Sequence, residues 1–102
     1  MTAAQMLVKV KESMRIRHTA LDDTLTDDIN AGALELKRSG VSVYDQSGQI
    51  RDDELIVNAI RFFVMAAEDY NGKAEQYTQA FERLRNALSL SAGYRAENDD
   101  EG

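Results

Sequence analysis

Cysteine, proline and tryptophan are all missing from this 102-residue chain, and histidine occurs once. Without cysteine there is no disulfide framework, no thiolate nucleophile and no cysteine-based zinc site. A lone His18 excludes most zinc catalysis and leaves few routes to a nucleophile–histidine pair. No proline interrupts a helix, and the six glycines are few and scattered. No apolar run approaches the eighteen or so residues that a membrane span needs, so no membrane partner is expected. The dominant basic face of a duplex-binding domain is lacking too.

What remains is one domain's worth of chain, at 11.4 kDa, with 43% hydrophobic and 29% charged residues. A chain of this size buries roughly 65 per cent of its unfolded surface, which supports one modest core. The net charge of −6 is unevenly spread. Glu97, Asp99, Asp100 and Glu101 crowd the segment 96–102, and leaving that segment aside, 12 basic face 14 acidic side chains. Residues 1–19 hold Lys9, Lys11, Arg15 and Arg17 against Glu12, whereas residues 20–36 hold Asp22, Asp23, Asp27, Asp28 and Glu35 with no base. This pattern describes a body with one basic and one acidic side.

Apolar residues recur at three- and four-residue spacing, which predicts an all-α fold: a small bundle of about four helices. The first runs over about 3–16, with Ala3, Leu7, Val10 and Met14 on one stripe. Thr19 followed by Asp22 is a weak capping pattern that opens the second helix at about 20–38, carried by Leu21, Leu25, Ile29, Ala33 and Leu36 and stopped by Gly40. A longer loop follows, with Ser47-Gly48 as a turn signal. The third helix, about 53–70, is apolar on almost every side, as befits a helix central to a core or covered by partners. The fourth covers about 73–89, with Tyr77, Phe81, Leu84 and Leu88 on one face. Residues 1–95 thus form a single helical domain, and 96–102 read as a disordered acidic tail.

Three groupings invite a chemical reading. Placing Gly48 at position six of a calcium loop aligns Asp45, Ser47, Ile50 and Glu54 with positions three, five, eight and twelve. Val43 then occupies position one and Arg51 position nine, so a turn followed by a helix cap explains the segment better. Asp22-Asp23 and Asp27-Asp28 suit the first turns of a helix, where the dipole favours carboxylates. The competing reading is an all-α magnesium-dependent nucleotide hydrolase, for which Glu68-Asp69 is the only facing acidic candidate. His18 fits a linker or a helix end. Lys9 and Lys11 lie on helix faces different from that of Arg17. A small helical DNA-binding regulator is a further alternative, but Gly32 falls mid-helix and the turn that such a reader requires is lacking. No catalytic residue, cofactor or metal ligand is assigned.

At the fourth helix the run Ala74-Glu75-Gln76-Tyr77, Phe81-Glu82-Arg83-Leu84 and Leu88-Ser89-Leu90-Ser91-Ala92-Gly93-Tyr94-Arg95 closely resembles the C-terminal signature of tailed-phage (siphophage-type) head–tail connector proteins. These adaptor or head-completion proteins were once grouped with DNA-packaging proteins. Upstream, Leu7-Val8-Lys9-Val10-Lys11, Met14-Arg15-Ile16, Leu21-Asp22-Asp23 and Ile29 resemble the family's opening helices, and Asp53-Glu54-Leu55-Ile56-Val57-Asn58-Ala59-Ile60 its third, with Glu54 in place of a frequent proline. The likeness spans roughly residues 6–95. The connection 40–52 is longer than in comparable members, and the acidic tail is an addition.

The resemblance implies a structural virion protein without enzymatic activity, assembled in the host cytoplasm and resident at the head–tail junction. Its subunits would form a ring, usually twelve-fold, beneath the portal protein. The ring would extend the channel for packaged DNA, help retain the genome, and dock the next head-completion or tail protein. DNA passing through needs no base-specific contacts. A ring interface is heterologous, and a body with a basic and an acidic side suits it. The candidate subunit interface is therefore Lys9, Lys11, Arg15 and Arg17 of one copy against Asp22, Asp23, Asp27 and Asp28 of the next. Leu90 and Tyr94 have no evident core slot, so Leu90, Tyr94 and Arg95 are the candidate portal or assembly contact. They are expected to be loose in the free subunit.

Overall fold

The structure is a computed structural model of the single chain and describes residues 1–96. The Glu- and Asp-rich stretch of the expected tail, 97–102, lies outside the described residues. Four α-helices account for the fold: α1 (Ala3–Met14), α2 (Asp22–Arg38), α3 (Glu54–Ala67) and α4 (Ala74–Leu90), with a short 3₁₀ turn at Tyr70–Gly72 before α4. The all-α bundle expected from the periodicity is what the chain forms.

Helix ends differ from the sequence expectation for identifiable reasons. A capping box opens α1: the Gln5 N–H donates to Thr2 Oγ1 at 3.1 Å, and the Thr2 N–H to Gln5 Oε1 at 2.7 Å. The helix stops at Met14 rather than Ile16 because Arg15 turns left-handed (φ 58°) and the Ile16 N–H donates back to the Lys11 carbonyl at 2.9 Å. Thr19 does not cap α2. Its carbonyl accepts the Asp22 N–H in a preceding turn, the N-cap is Leu21, and the helix begins at Asp22. Asp53 caps α3, accepting from the Leu55 and Ile56 N–H groups at 2.9 and 3.3 Å. That helix ends at Ala67, short of the expected residue 70. Asp69 and Asn71 are both left-handed there (φ 51° and 57°), and the chain reverses into α4.

The connection between α2 and α3 is folded. A turn at Asp45–Gly48 brings Tyr44 and Ile50 into an isolated β-bridge, and the Arg51 N–H donates to the Val43 carbonyl at 2.8 Å. Val41, Val43 and Ile50 are thereby buried as a lid of apolar side chains on the helices. The N-terminal ammonium of Met1 donates to the Ile50 carbonyl, tying the start of α1 to the same loop.

Helix α3 packs against α1, α2 and α4, which explains an apolar character on nearly every side. Ile56, Val57, Ala59, Ile60, Val64 and Met65 are buried among Met6, Val10, Leu25, Ile29, Leu36, Phe81 and Leu88. The approach of α2 to α3 is closest at Gly32, where a Cβ would lie 3.0 Å from the Phe63 ring. The same Phe63 ring stacks edge to face on Phe81 of α4, with centroids 5.2 Å apart.

Candidate assembly surface

The segment after α4 is not loose in the single chain. Beyond Ser91 it turns back alongside residues 40–42: the Ser42 N–H donates to the Tyr94 carbonyl and the Ala96 N–H to the Gly40 carbonyl, each at 2.7 Å, and Val41 bridges Arg95. Ala96 thus belongs to the folded body rather than to the tail. The Tyr94 hydroxyl donates to Asp53 Oδ2 at 2.8 Å, and the Arg51 guanidinium lies 5.2 Å from the Tyr94 ring centroid while donating to the Ser42 carbonyl at 2.9 Å. Burial raises the Asp53 carboxyl. The Tyr94 hydroxyl, the two capping N–H groups and the charge of Arg51 outweigh it and hold the group below its ordinary value. The same carboxylate raises the Tyr94 phenol. One aspartate therefore caps α3 and clamps the C-terminal segment.

Of the three residues singled out there, Leu90 alone projects freely. It is 80% exposed at the last turn of α4, the most exposed large apolar side chain among the described residues. Arg95 is exposed while its backbone is pinned. Tyr94 is half-buried and engaged within its own chain.

The eight charged residues split into three groups. Lys11 Nζ meets Asp22 Oδ1 at 2.6 Å inside the subunit, so this pair fastens α1 to the start of α2. Asp28 turns toward Glu68 at the end of α3, and its Oδ2 is buried without a hydrogen-bond donor. Burial, the Glu68 carboxyl and the charge of Asp27 push Asp28 up to about 7. Arg15, Arg17, Asp23 and Asp27 are exposed and make no ion pair among the described residues, and Lys9 is half-buried, also without one. The structure thus leaves Arg15, Arg17, Asp23 and Asp27 as surface charge, and withdraws Lys11, Asp22 and Asp28 into the fold.

The remaining chemical candidates resolve locally. Asp45 Oδ1 accepts from the Ser47 N–H at 2.9 Å, the Ser47 hydroxyl at 2.6 Å and the Gln49 N–H at 3.1 Å, and the Ser47 hydroxyl first, then the Gln49 N–H, lower its carboxyl. The would-be calcium loop is an Asx turn that consumes its own ligand. His18 Nδ1 accepts the Ala20 N–H at 3.3 Å in the α1–α2 linker, the role of a linker residue. Among the described residues no three His, Asp or Glu side chains are grouped to hold a metal ion. A cleft of about 350 Å³ runs between α2 and α4, floored by Phe63, Ala66 and Phe81 and rimmed by Glu35, Glu82 and Arg85.

Sequence reasoning missed two features. The Thr2-x-x-Gln5 box was legible as a pattern. The Tyr94–Asp53 clamp joins positions with no periodic relation, so no local signal announces it.

Comparison of the chain with protein-family models, curated proteins and solved structures finds no match.

Proposed function

We propose that this chain is a structural subunit of a tailed-phage head–tail connector: an adaptor that assembles as a ring under the portal, extends the DNA channel and docks the next head-completion or tail protein. The reading rests on the resemblance of residues 74–95 to the connector signature. The observation that carries it is the fate of that signature in the fold: its Tyr94-Arg95 end is clamped to the body, so the helix turn before it holds Leu90 out at 80% exposure on a fixed support. An apolar residue held out by a rigid element suits docking, since little ordering entropy is lost on binding. Arg15, Arg17, Asp23 and Asp27, exposed and without an ion pair among the described residues, would supply opposite charges for neighbouring copies, as a heterologous ring can use.

The test is addition of the purified chain to portal-bearing, DNA-filled heads lacking their own adaptor. Expected are a ring beneath the portal by electron microscopy and restored tail joining. Heads that neither bind the chain nor gain tails would refute the reading.

A further inference from the structure

Helix α4 carries a hollow and a knob on neighbouring faces. Thr78, Glu82 and Arg85, spaced four and three, edge the cleft of about 350 Å³ between α2 and α4. Its floor is apolar: Phe63 and Ala66 are only half-buried there, and Phe81 stacks against Phe63. Gln79, Arg83 and Asn86 follow one position later at the same spacing, and Leu90 continues their line. All four are exposed, so they form the adjacent outer face of α4. Leu90 ends that face at 80% exposure.

The charges at the two places are opposite. At the cleft, Glu35 already meets Arg38 at 3.5 Å and Arg85 at 3.9 Å, and the Arg85 guanidinium lies 5.8 Å from the Phe81 ring centroid. Glu82 is exposed and makes no ion pair among the described residues, so the rim presents an unneutralised carboxylate. Around the knob the sign reverses. Residues 83–96 contain Arg83, Arg85 and Arg95 and no acid. Arg83 and Arg95 are exposed and make no ion pair among the described residues. Arg83 stands two turns before Leu90 on the same face, about 10 Å away along the axis.

We propose that Leu90 of one copy seats in the α2–α4 cleft of a second copy, on Phe63 and Phe81, with the arginines beside it facing Glu82. No copy can fill its own cleft: Leu90 lies on a different face of the same helix, about 13 Å along the axis from Phe81. The hollow has room for the side chain, since an apolar cavity of roughly 150 Å³ already takes a benzene. Docking removes an isolated apolar side chain from water and covers the half-buried aromatic floor in one step. Knob and cleft are different patches, so the contact is heterologous: each copy offers one of each, and copies add in one direction until a ring closes. The contact deepens the connector reading and rests on it for the ring, whereas the pairing itself is measurable without portal or heads.

Two full-length variants, each impaired on one side only, test it. Leu90→Ser removes the knob and keeps the cleft, while Thr78→Trp, at an exposed position, fills the cleft and keeps the knob. By sedimentation each variant alone should associate at least roughly tenfold more weakly than wild type. An equimolar mixture should regain one contact and stop at the heterodimer. Isotope-labelled Leu90→Ser protein should show amide shifts at Phe63, Ala66 and Phe81 on addition of unlabelled Thr78→Trp protein, and none on addition of unlabelled Leu90→Ser protein. If Thr78→Trp fails to fold, Glu82→Arg reverses the rim charge at an exposed position and should also weaken wild-type association. Wild-type cleft signals that stay fixed up to about 1 mM protein would overturn the contact. So would cleft shifts that persist in Leu90→Ser alone, since another segment would then fill the hollow, or a mixture no more associated than its components. Heads that refuse the chain while the mixed variants still pair would refute the connector reading and leave the contact standing.

Discussion

Tyr94 reaches back across 41 positions to donate its hydroxyl to Asp53, the residue that starts α3. The end of the chain and the middle of the chain are thereby stabilised by the same carboxylate. Asp53→Ala removes the helix cap and the Tyr94 acceptor together, and should destabilise by more than the ~1 kcal/mol typical of a lost cap. Tyr94→Phe removes only the acceptor's partner and should lower the denaturation midpoint by less. Urea titrations of both variants check the order, and a Tyr94→Phe effect larger than that of Asp53→Ala would contradict it.

The lowered Asp53 carboxyl fixes a sign for acid stability. A carboxyl below its unfolded value contributes stability that is present above about pH 4 and lost as pH falls through its folded value. The midpoint of acid unfolding should therefore move to higher pH in Tyr94→Phe, measured by circular dichroism between pH 5 and 2.

Core substitutions should separate the two aromatic residues that the periodicity treats alike. Phe81 is 5% exposed, so Phe81→Ala should cost roughly 3–5 kcal/mol. Phe63 is half-buried at the cleft, and Phe63→Ala should cost clearly less. Gly32→Ala gains roughly 1 kcal/mol of helix propensity but sets a Cβ 3.0 Å from the Phe63 ring. It should be neutral or destabilising in the wild type and stabilising in the Phe63→Ala background, as thermal melts of the four proteins would reveal.

Charge reversals should distinguish the pair inside the subunit from the charges left on its surface. Lys11→Glu breaks the contact with Asp22 and should lower stability, by roughly 1 kcal/mol for a partly exposed pair. The double change Arg15→Glu, Arg17→Glu should leave the melt nearly unchanged and weaken self-association. Sedimentation at low and high salt should also find wild-type association weakening as salt rises, since exposed charges are screened. Association that strengthens with salt would remove these residues from any interface.

Leu90 offers the cleanest separation of folding from assembly. At 80% exposure, Leu90→Ser should leave the melt of the free subunit unchanged and reduce addition to portal-bearing heads. Deleting residues 89–102 has a different expectation, because it also removes Tyr94 and the backbone pairing with residues 40–42. That truncation should lower the melting temperature, so an assembly defect in it would not implicate docking alone.

What the sequence made legible follows the range of the interaction. Helix α2 was readable from Leu25, Ile29, Ala33 and Leu36, because a 3.6-residue period is a local signal. So were the Ser47-Gly48 turn and the Asp53 cap. The left-handed Arg15 was not, since a non-glycine residue rarely takes that conformation, and the periodicity alone carries α1 two residues too far. The charge pattern located the interface candidates but not their partners. Whether Lys11 meets its own Asp22 or a neighbour's depends on the angle at which α1 and α2 pack, which composition does not encode. Tyr94 has no slot legible in its own neighbourhood because the one it fills is built by Arg51, Asp53 and Ser42, half a chain away.

The pairing of residues 94–96 with 40–42 also orders events in time. Those stretches of backbone are separated by α2's end, α3 and α4, so their pairing closes a long loop at a cost in chain entropy. Its closure is expected to follow the rate-limiting step of folding, which folding and unfolding rates of variants in this pairing would test. Weakening it should then leave the folding rate nearly untouched and shorten the lifetime of the native subunit, so the clamp governs persistence rather than speed.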